Sequence, residues 1–183
     1  MTTENKITLS TITVVNQAIT ESDNLETLCA QLNRLLVAAL EIKGSAVFLL
    51  NPDSGELEML SSFGLSLSYL NKGPILTQKS IADSIQGKPV IIQNINQSDK
   101  LQYPKHAKAE GIGAIVSMPI NFRGSVIGAL RLYHYEAWNL SERDITFLQC
   151  LSDHLGLAMT YTRLSNALQA VKEAVTNIPP LWL

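Results

Sequence analysis

The stretch Gly111–Tyr133, GIGAIVSMPINFRGSVIGALRLY, decides the fold of this chain. It is typical of two antiparallel strands joined by a tight turn. The turn is predicted at Asn121-Phe122-Arg123-Gly124, because glycine at the last position suits a type I turn closed by a left-handed residue. With a loop of Phe122, Arg123 and Gly124, the predicted cross-strand pairs are Ser117 with Ala129, Pro119 with Ile127, and Ile115 with Arg131.

The two faces of this hairpin differ in composition, since side chains alternate between the two sides of a strand. One face is wholly apolar and consists of Ala114, Val116, Met118, Ile120, Val126, Gly128, Leu130 and Leu132. The other mixes small, polar and aromatic groups and consists of Gly113, Ile115, Ser117, Pro119, Ile127, Ala129, Arg131 and Tyr133. This asymmetry favours helices packed on the first face and a pocket over the second.

Composition indicates one globular domain. The chain has 183 residues, 46% hydrophobic and 16% charged, and its formal net charge is −2. Lys and Arg are scattered, so nothing indicates nucleic-acid binding. No apolar run reaches the roughly 18 residues of a membrane span, and the N-terminus has no signal-peptide pattern. Cys29 and Cys150 form no disulfide framework, which fits a reduced, cytoplasmic protein.

Helical periodicity is found before the first strand. Residues 7–20 are predicted as a helix in which Ile, Val and Leu repeat at helical spacing. A second helix is predicted over 24–41, capped by Asp23 and ended by Gly44. Its apolar stripe consists of Leu25, Leu28, Leu32, Leu35, Leu36 and Ala39.

Strands and short helices alternate in the middle of the chain. Ser45–Leu50 is predicted as a central strand, and Glu56–Phe63 as its more exposed hairpin partner at an edge. Val90-Ile91-Ile92 forms a third short strand. Short helices are predicted over Lys79–Gln86 and Tyr103–Glu110.

The C-terminal segment is predicted as one long helix from Ser141, which caps it with Asp144 three residues later. Residues facing the domain are Ile145, Leu148, Leu151, Leu155 and Ala158. Further on, a stripe with alternating steps of four and three residues indicates a heptad seam, formed by Leu157, Tyr161, Leu164, Leu168, Val171 and Val175. The helix would be about 50 Å long, longer than such a domain, which favours self-association over packing within the chain.

This order of elements, with particular residues, resembles a GAF domain over roughly residues 10–165. The matching pieces are SAVFLL–NPDSG–ELEMLSSF, then SIADSIQGKPVIIQNIN, then GIGAIVSMPINFRGSVIGALRLYHYEAWNLSERDITFLQCLSDHLGLAM. Strand pairing by hairpins independently predicts an α+β fold with a mainly antiparallel sheet of five or six strands. The resemblance implies that terminal helices cover one face of the sheet, while short helices and loops cover a pocket on the other. The expected organisation is a flexible N-terminus at 1–6, a GAF-like domain at 7–165, and a helix extension and tail at 166–183.

Family membership would imply a sensory or regulatory module that passes ligand binding or dimer rearrangement along its terminal helices. The prediction is a non-enzymatic homodimer, with an output protein such as a kinase, cyclase or transcription regulator acting in trans. The alternative is a structural dimerisation domain with a filled pocket. No cofactor or metal is predicted, although an unidentified small-molecule ligand is expected.

Arg131 is the main ligand-binding candidate, because it is the one formal charge on the mixed face and a guanidinium can hold a carboxylate or phosphate bidentately. The alternative is a salt bridge to a nearby acid, or a guanidinium reaching solvent. The complete set of ligand-binding candidates is Ser61, Phe63, Tyr103, His106, Ile115, Ser117, Ala129, Arg131 and Tyr133.

Other chemistries of the family fit less well. Free methionine sulfoxide reductases need cysteines around the pocket loop, and Asn94–Gly111 has none, so this enzyme is only a remote alternative. His106 lacks the adjacent cysteine of covalent bilin sites and is either a haem or iron ligand or an ordinary helix residue. Trp138 and Glu142 partly match a cyclic-nucleotide pattern, against which stands a structural role for Trp138. Both cysteines are expected to be buried, inert residues.

Overall fold

The computed structural model describes residues 7, 13, 24–51, 53–73, 75–76, 86–99 and 101–176. Its centre is a six-stranded antiparallel sheet with the strand order β3-β2-β1-β6-β5-β4. The strands are β1 (Gly44–Leu50), β2 (Glu56–Phe63), β3 (Ile75–Leu76), β4 (Val90–Ile92), β5 (Ala114–Phe122) and β6 (Ser125–His134). The predicted α+β class and antiparallel sheet are therefore confirmed.

Two long and two short helices belong to the described residues. They are α1 (Leu25–Leu40), α2 (Leu67–Leu70), α3 (Pro104–Ala109) and α4 (Glu142–Thr176). The long helices α1 and α4 cover the face of the sheet that carries Val116, Met118 and Leu130, which we call the helix face. A second apolar cluster lies on the opposite side, which we call the site face.

The β5–β6 turn is tighter than the predicted three-residue loop. Phe122 pairs with Ser125, and the two residues between them both have positive φ, 51° at Arg123 and 80° at Gly124. Such two-residue turns match the twist of a hairpin, which explains the shorter loop. The shorter loop shifts the register by one residue, and the irregular pairing between Ile120 and Asn121 shifts it by a second. The observed pairs are Ser117 with Arg131, Pro119 with Ala129, and Ile115 with Tyr133.

A shift of two residues preserves the faces, because the side-chain period of a strand is two. The irregularity between Ile120 and Asn121 breaks this rule near the turn. Ile127, predicted on the mixed face, instead packs against the helix-face core.

The ends of α1 differ from the prediction. Asn24, rather than Asp23, is the N-cap, and its Oδ1 accepts hydrogen bonds from the backbone N–H groups of Glu26 and Thr27 at 2.8 and 3.5 Å. Glu41 ends the helix in a left-handed conformation with φ 53°, and Gly44 already belongs to β1. The predicted helices over 7–20 and 79–86 lie, apart from Ile7, Thr13 and Gln86, outside the described residues.

Gly156 sets the distance between α4 and the sheet. A Cβ atom at this position would lie 2.3 Å from the backbone oxygen of Asn121 at the end of β5. Since no side chain fits there, glycine lets the helix backbone approach the strand directly. α4 therefore packs firmly on β5, the strand that carries site-face residues on its other side.

The start of α4 is fixed by the predicted pair of Ser141 and Asp144. The Asp144 carboxylate accepts hydrogen bonds from the Ser141 backbone N–H at 3.1 Å and hydroxyl at 2.8 Å, and the Ser141 hydroxyl accepts one from the Asp144 N–H at 3.1 Å. The same carboxylate accepts the Ile7 N–H at 3.1 Å. One fully buried side chain thus holds both the helix start and a residue near the N-terminus.

We expect Asp144→Ala to lower the free energy of unfolding by about 2–3 kcal/mol, because it removes the cap and leaves buried N–H donors without their acceptor. Urea unfolding followed by circular dichroism measures this change. Glu142→Ala is the control, since Glu142 is an exposed acidic residue in the same helical turn. A loss of similar size in both variants would contradict the role given to Asp144.

Candidate functional site

Arg131 lies at the centre of the sheet on the site face. Its strand neighbours are Ala46 on β1 and Ser117 on β5. Only 3% of Arg131 is exposed, so its charge is enclosed rather than reaching solvent as one alternative proposed. The hydroxyl of Ser117 is also buried, and it has no hydrogen-bond partner among the residues that the structure describes. The two side chains place polar groups beneath an otherwise apolar layer.

One aromatic ring lies near the Arg131 guanidinium, and a second ring packs against the first. Its carbon lies 5.8 Å from the ring centroid of Tyr133, and the Tyr133 ring meets that of Tyr69 edge-on at 5.7 Å. Burial raises the pKa of the Tyr133 and Tyr69 hydroxyls above their usual range, so both stay neutral. Tyr69 comes from α2, which places this helix over the site face.

Lys72 brings a second cation to the same place. Its Nζ donates to the Tyr69 backbone oxygen at 3.0 Å and lies 3.8 Å from the centroid of the Tyr69 ring. Burial, with the nearby charge of Arg131, lowers the pKa of Lys72 to about 8, although Glu110 acts in the opposite direction. The Lys72 side chain is therefore mostly protonated at neutral pH, but it loses its proton at a lower pH than an ordinary lysine.

Glu110 links the two short helices α2 and α3, which we call the cover of the site. Its carboxylate accepts hydrogen bonds from the backbone N–H and the hydroxyl of Ser66, the residue that caps α2, and pairs with the Lys43 Nζ at 3.5 Å. Burial raises its pKa, but the Ser66 hydrogen bonds and the Lys43 charge outweigh this and lower it below the usual value. The acid that ends α3 thus holds the start of α2 and has ionic partners away from Arg131.

The space around Arg131 is nearly filled. The cavity bounded by Tyr69, Lys72, Tyr103, Ile115 and Arg131, among others, has a volume of about 10 Å³. This is about the space of one water molecule and too small for an organic ligand. Beside it lies a larger cleft of about 180 Å³, whose lining includes Phe48, Met59 and Lys72. Lys72 and Ile75 border both spaces, so a movement of this segment would join them.

Several ligand-binding candidates do lie together. Arg131, Ile115 and Tyr103 line the small cavity. Ala129 and Tyr133 belong to the apolar cluster of the site face. His106 is exposed on α3, with its ring edge-on to Tyr103 at 5.8 Å.

The placement of Ser61 and Phe63 corrects the predicted wall. Ser61 pairs with Val47, a helix-face residue, and Phe63 lies under the Arg34 guanidinium of α1 at 5.6 Å. Both therefore lie on the helix face, away from Arg131. The irregular pairing between Val47 and Phe48 explains the error, because an extra residue in β2 reverses the faces beyond it.

The sequence did not reveal Lys72, Tyr69 or Glu110 as parts of this site. Tyr69 and Lys72 are three residues apart, a spacing that brings side chains together on a helical turn. This spacing was the sequence feature that could have predicted a lysine ammonium over the tyrosine ring. Nothing in the sequence indicated that Glu110 would meet Ser66.

The cysteines have different surroundings. Cys29 is fully buried, and burial raises the pKa of its thiol to about 12, which keeps it protonated and inert. Cys150 is exposed on α4, so the expectation that both cysteines are buried is wrong for Cys150. Within the described part of one chain, no three His, Cys, Asp or Glu side chains converge on a metal position.

The partial cyclic-nucleotide pattern has a structural explanation. Trp138 is 1% exposed in the helix-face core, and its ring stacks on His134 at 5.1 Å. Ser141 caps α4, and Asp144 is its partner in the capping pair. These residues hold the connection between β6 and α4, as the structural alternative proposed.

The chain belongs to the GAF domain family, whose pattern it matches over residues 20–160. The GAF domain of a phosphoenolpyruvate-protein phosphotransferase from Coxiella burnetii superimposes with a TM-score of 0.76 at 18% identity, over 87% of this chain and 96% of that one. A free methionine-R-sulfoxide reductase from Neisseria meningitidis, solved with its substrate, gives 0.73 at 14% identity, over 88% and 97% of the two chains.

A far-red absorbing protein with bound biliverdin IXa gives a TM-score of 0.67 at 12% identity, over 84% of this chain and 99% of that one. At such low sequence identities, the structural likeness shows a shared fold and nothing more. The GAF family is commonly sensory or regulatory. Among curated proteins, none matches the sequence significantly. The described helices include none long and apolar enough to cross a membrane.

Proposed function

We propose that this protein is a non-enzymatic sensory module that binds a small anionic molecule at Arg131 and Lys72 and signals through a homodimer formed by α4. The observation that carries the proposal is the enclosed Arg131 side chain, with the partly buried cation of Lys72 near it between the sheet and its cover. The predicted anchor Arg131 is retained, and Lys72 is added to it. Ser61 and Phe63 are no longer included.

An anion fits this site for electrostatic reasons. Arg131 lies in surroundings of low exposure, where a charge interacts strongly with an opposite one. Lys72 is close enough to Arg131 for the guanidinium charge to disfavour protonation of the lysine, which, after burial, is part of the reason for the lowered pKa of Lys72. A carboxylate or phosphate would relieve this repulsion, and the guanidinium could hold either group by two hydrogen bonds.

Binding requires the cover to move, because the present cavity of about 10 Å³ does not admit a ligand. Lys72 and Ile75 separate the cavity from the cleft of about 180 Å³ beside it. A ligand that binds only the open arrangement shifts the population toward it. The closed arrangement described above would then be the resting state.

Strand β5 connects the site face directly to the face on which α4 packs, so it would transmit the effect of ligand binding. β5 carries Ile115 on the site face and Met118 on the helix face, where α4 packs. Displacement of β5 by a ligand would therefore act on α4 directly. On the side of α4 away from the sheet lies the exposed seam of Leu157, Tyr161, Leu164, Leu168, Val171 and Val175, each between 58% and 71% exposed. A second copy is the occupant that this heptad spacing fits, and an output protein acting in trans would detect the change in the helix pair.

A ligand screen tests the proposal. The protein would be heated with mono- and dicarboxylates and phosphomonoesters, each matched to an uncharged amide or alcohol of similar size. We expect members of the anionic set alone to raise the melting temperature, since a ligand at about 100 times its Kd adds about 2.7 kcal/mol. Equal responses to the anionic and uncharged sets would contradict the proposal.

The lowered pKa of Lys72 predicts a pH dependence. The folded pKa of about 8 lies below the unfolded value of about 10.4, so between these values the unfolded chain binds more protons and stability rises with pH. We expect the free energy of unfolding of the wild type to rise relative to that of Lys72→Met from about pH 8 to about pH 10. Urea titrations across this range measure it, and parallel profiles would contradict the assignment. Anion affinity should fall over the same range as Lys72 loses its charge.

A structural dimerisation domain is the second candidate, and the nearly filled cavity favours it. It predicts a dimer that responds to none of the anions. The same screen therefore separates the two functions, provided that the oligomeric state is measured alongside.

A further inference from the structure

Cys150 and His154 form an exposed pair on α4. They lie one helical turn apart, with the cysteine Sγ 3.6 Å from the histidine Nδ1. Both side chains border an open groove of about 720 Å³ between α4 and the segment before β4. Neither residue takes part in the anion site, which lies on the opposite face of the sheet.

The spacing of the two atoms suits a metal ion. With Zn–S of about 2.3 Å and Zn–N of about 2.0–2.1 Å at the tetrahedral angle, the sulfur and nitrogen ligands lie about 3.5 Å apart. The observed distance is 3.6 Å, so the pair already spans one edge of such a tetrahedron. The described residues of one chain bring no third ligand to it. Asp153, the nearest acid in sequence, instead accepts hydrogen bonds from Asn121 at 3.1 Å and Gln149 at 2.9 Å.

The two residues also continue the seam. The steps from Cys150 to His154, Leu157 and Tyr161 are four, three and four residues, the same alternation as further along the helix. The buried side of α4 carries Leu148, Leu155 and Met159, so at 100° per residue the seam lies on the opposite side. In a parallel pair of α4 helices, identical seam positions face each other. Cys150 and His154 of one chain would then face the same two residues of the second copy.

We propose that two copies of this chain build a Cys₂His₂ site for Zn²⁺ or a similar divalent ion from Cys150 and His154 of each. The inference rests on the proposed homodimer and adds a parallel register to it. On binding, each thiol releases one proton and forms one metal–sulfur bond, and each imidazole contributes a nitrogen lone pair. Two thiolates balance the charge of the ion, so the completed site is neutral.

Such a site would act at the point where α4 changes its contacts. Cys150 lies beside residues that pack on the sheet, whereas the seam beyond Leu157 lies away from it. A metal there would join the two helices at their domain ends and leave the distal seam to associate by apolar contact. Metal binding would thereby stabilise one register of the dimer.

Co²⁺ titration of the full, reduced, metal-free chain tests the proposal, because tetrahedral cobalt–thiolate sites absorb visible light. We expect saturation at one metal per two chains, and loss of the absorption in Cys150→Ser and in His154→Ala. His106→Ala, which removes an exposed histidine from another helix, should retain it. Circular dichroism should show all variants folded, since the altered side chains are exposed.

Light scattering in a chelator separates this inference from the proposed dimer. A metal-free dimer that takes up no cobalt overturns the metal site and leaves the dimer standing, whereas a monomer without uptake overturns both. One metal per chain, or uptake retained by the Cys150→Ser variant, also overturns the shared site. Uptake at one per two chains that disappears when Leu164→Asp separates the chains supports it.

Discussion

Leu164→Asp is expected to convert the proposed dimer into a monomer. Leu164 is 60% exposed in the single chain, and its burial in the seam would contribute about 1.5–3 kcal/mol per copy. Because the change occurs in both chains, the dimer should weaken by about 3–6 kcal/mol, or roughly 10²–10⁴-fold in Kd. The cost of enclosing the new carboxylate adds to this loss. Sedimentation or light scattering over a dilution series measures the change.

Asn166→Asp is the matched control for this variant. It adds the same charge two residues away, to an exposed position on the opposite side of α4 from the seam. We expect the control to remain a dimer and both variants to keep the wild-type fold, since neither side chain is in the core. A Leu164→Asp variant as dimeric as the control would move the interface away from this seam.

Arg131→Met is expected to abolish the response to anions while leaving the fold intact. Methionine fills much of the volume of arginine, and the site around it is largely apolar. Loss of a charge-assisted contact in an enclosed site typically costs about 2–5 kcal/mol, which is roughly 30- to 4,000-fold in affinity. The melting temperature without ligand should change little, because removal of an enclosed charge offsets the loss of its contacts.

Arg163→Met serves as the control for Arg131→Met, because it removes the same charge from an exposed position on α4. It should respond to anions as the wild type does. Isothermal titration with the strongest anion of the screen compares the three proteins. Equal anion affinity of all three proteins would show that Arg131 does not bind the anion.

The architecture could be predicted because its signals are local. Alternation along Gly111–Tyr133 separated the helix face from the site face, and the observed β2 and β4 have the predicted bounds. Ser141 and Asp144 marked the start of α4 correctly, because a capping pair depends on residues three apart.

The errors arose where an irregular strand or a distant partner decides the outcome. The extra residues in β2 and β6 reversed the faces of Phe63 and Ile127, and alternation alone cannot reveal an inserted residue. Lys72 belongs to the site through the electrostatic effect of Arg131 on it, and Glu110 through its hydrogen bonds with Ser66. Both partners are far away in sequence. The exposure of Cys150 depends on which side of α4 packs on the sheet.

Native mass spectrometry of the protein isolated from its own host would show whether an anion is bound at Arg131. We expect a dimer carrying one or two copies of a small carboxylate or phosphate compound, and an Arg131→Met dimer, prepared in the same way, that lacks this compound. An adduct retained by Arg131→Met would contradict the proposed site. A wild-type dimer of bare mass that also fails to respond to any anion in the screen would contradict the sensory function itself.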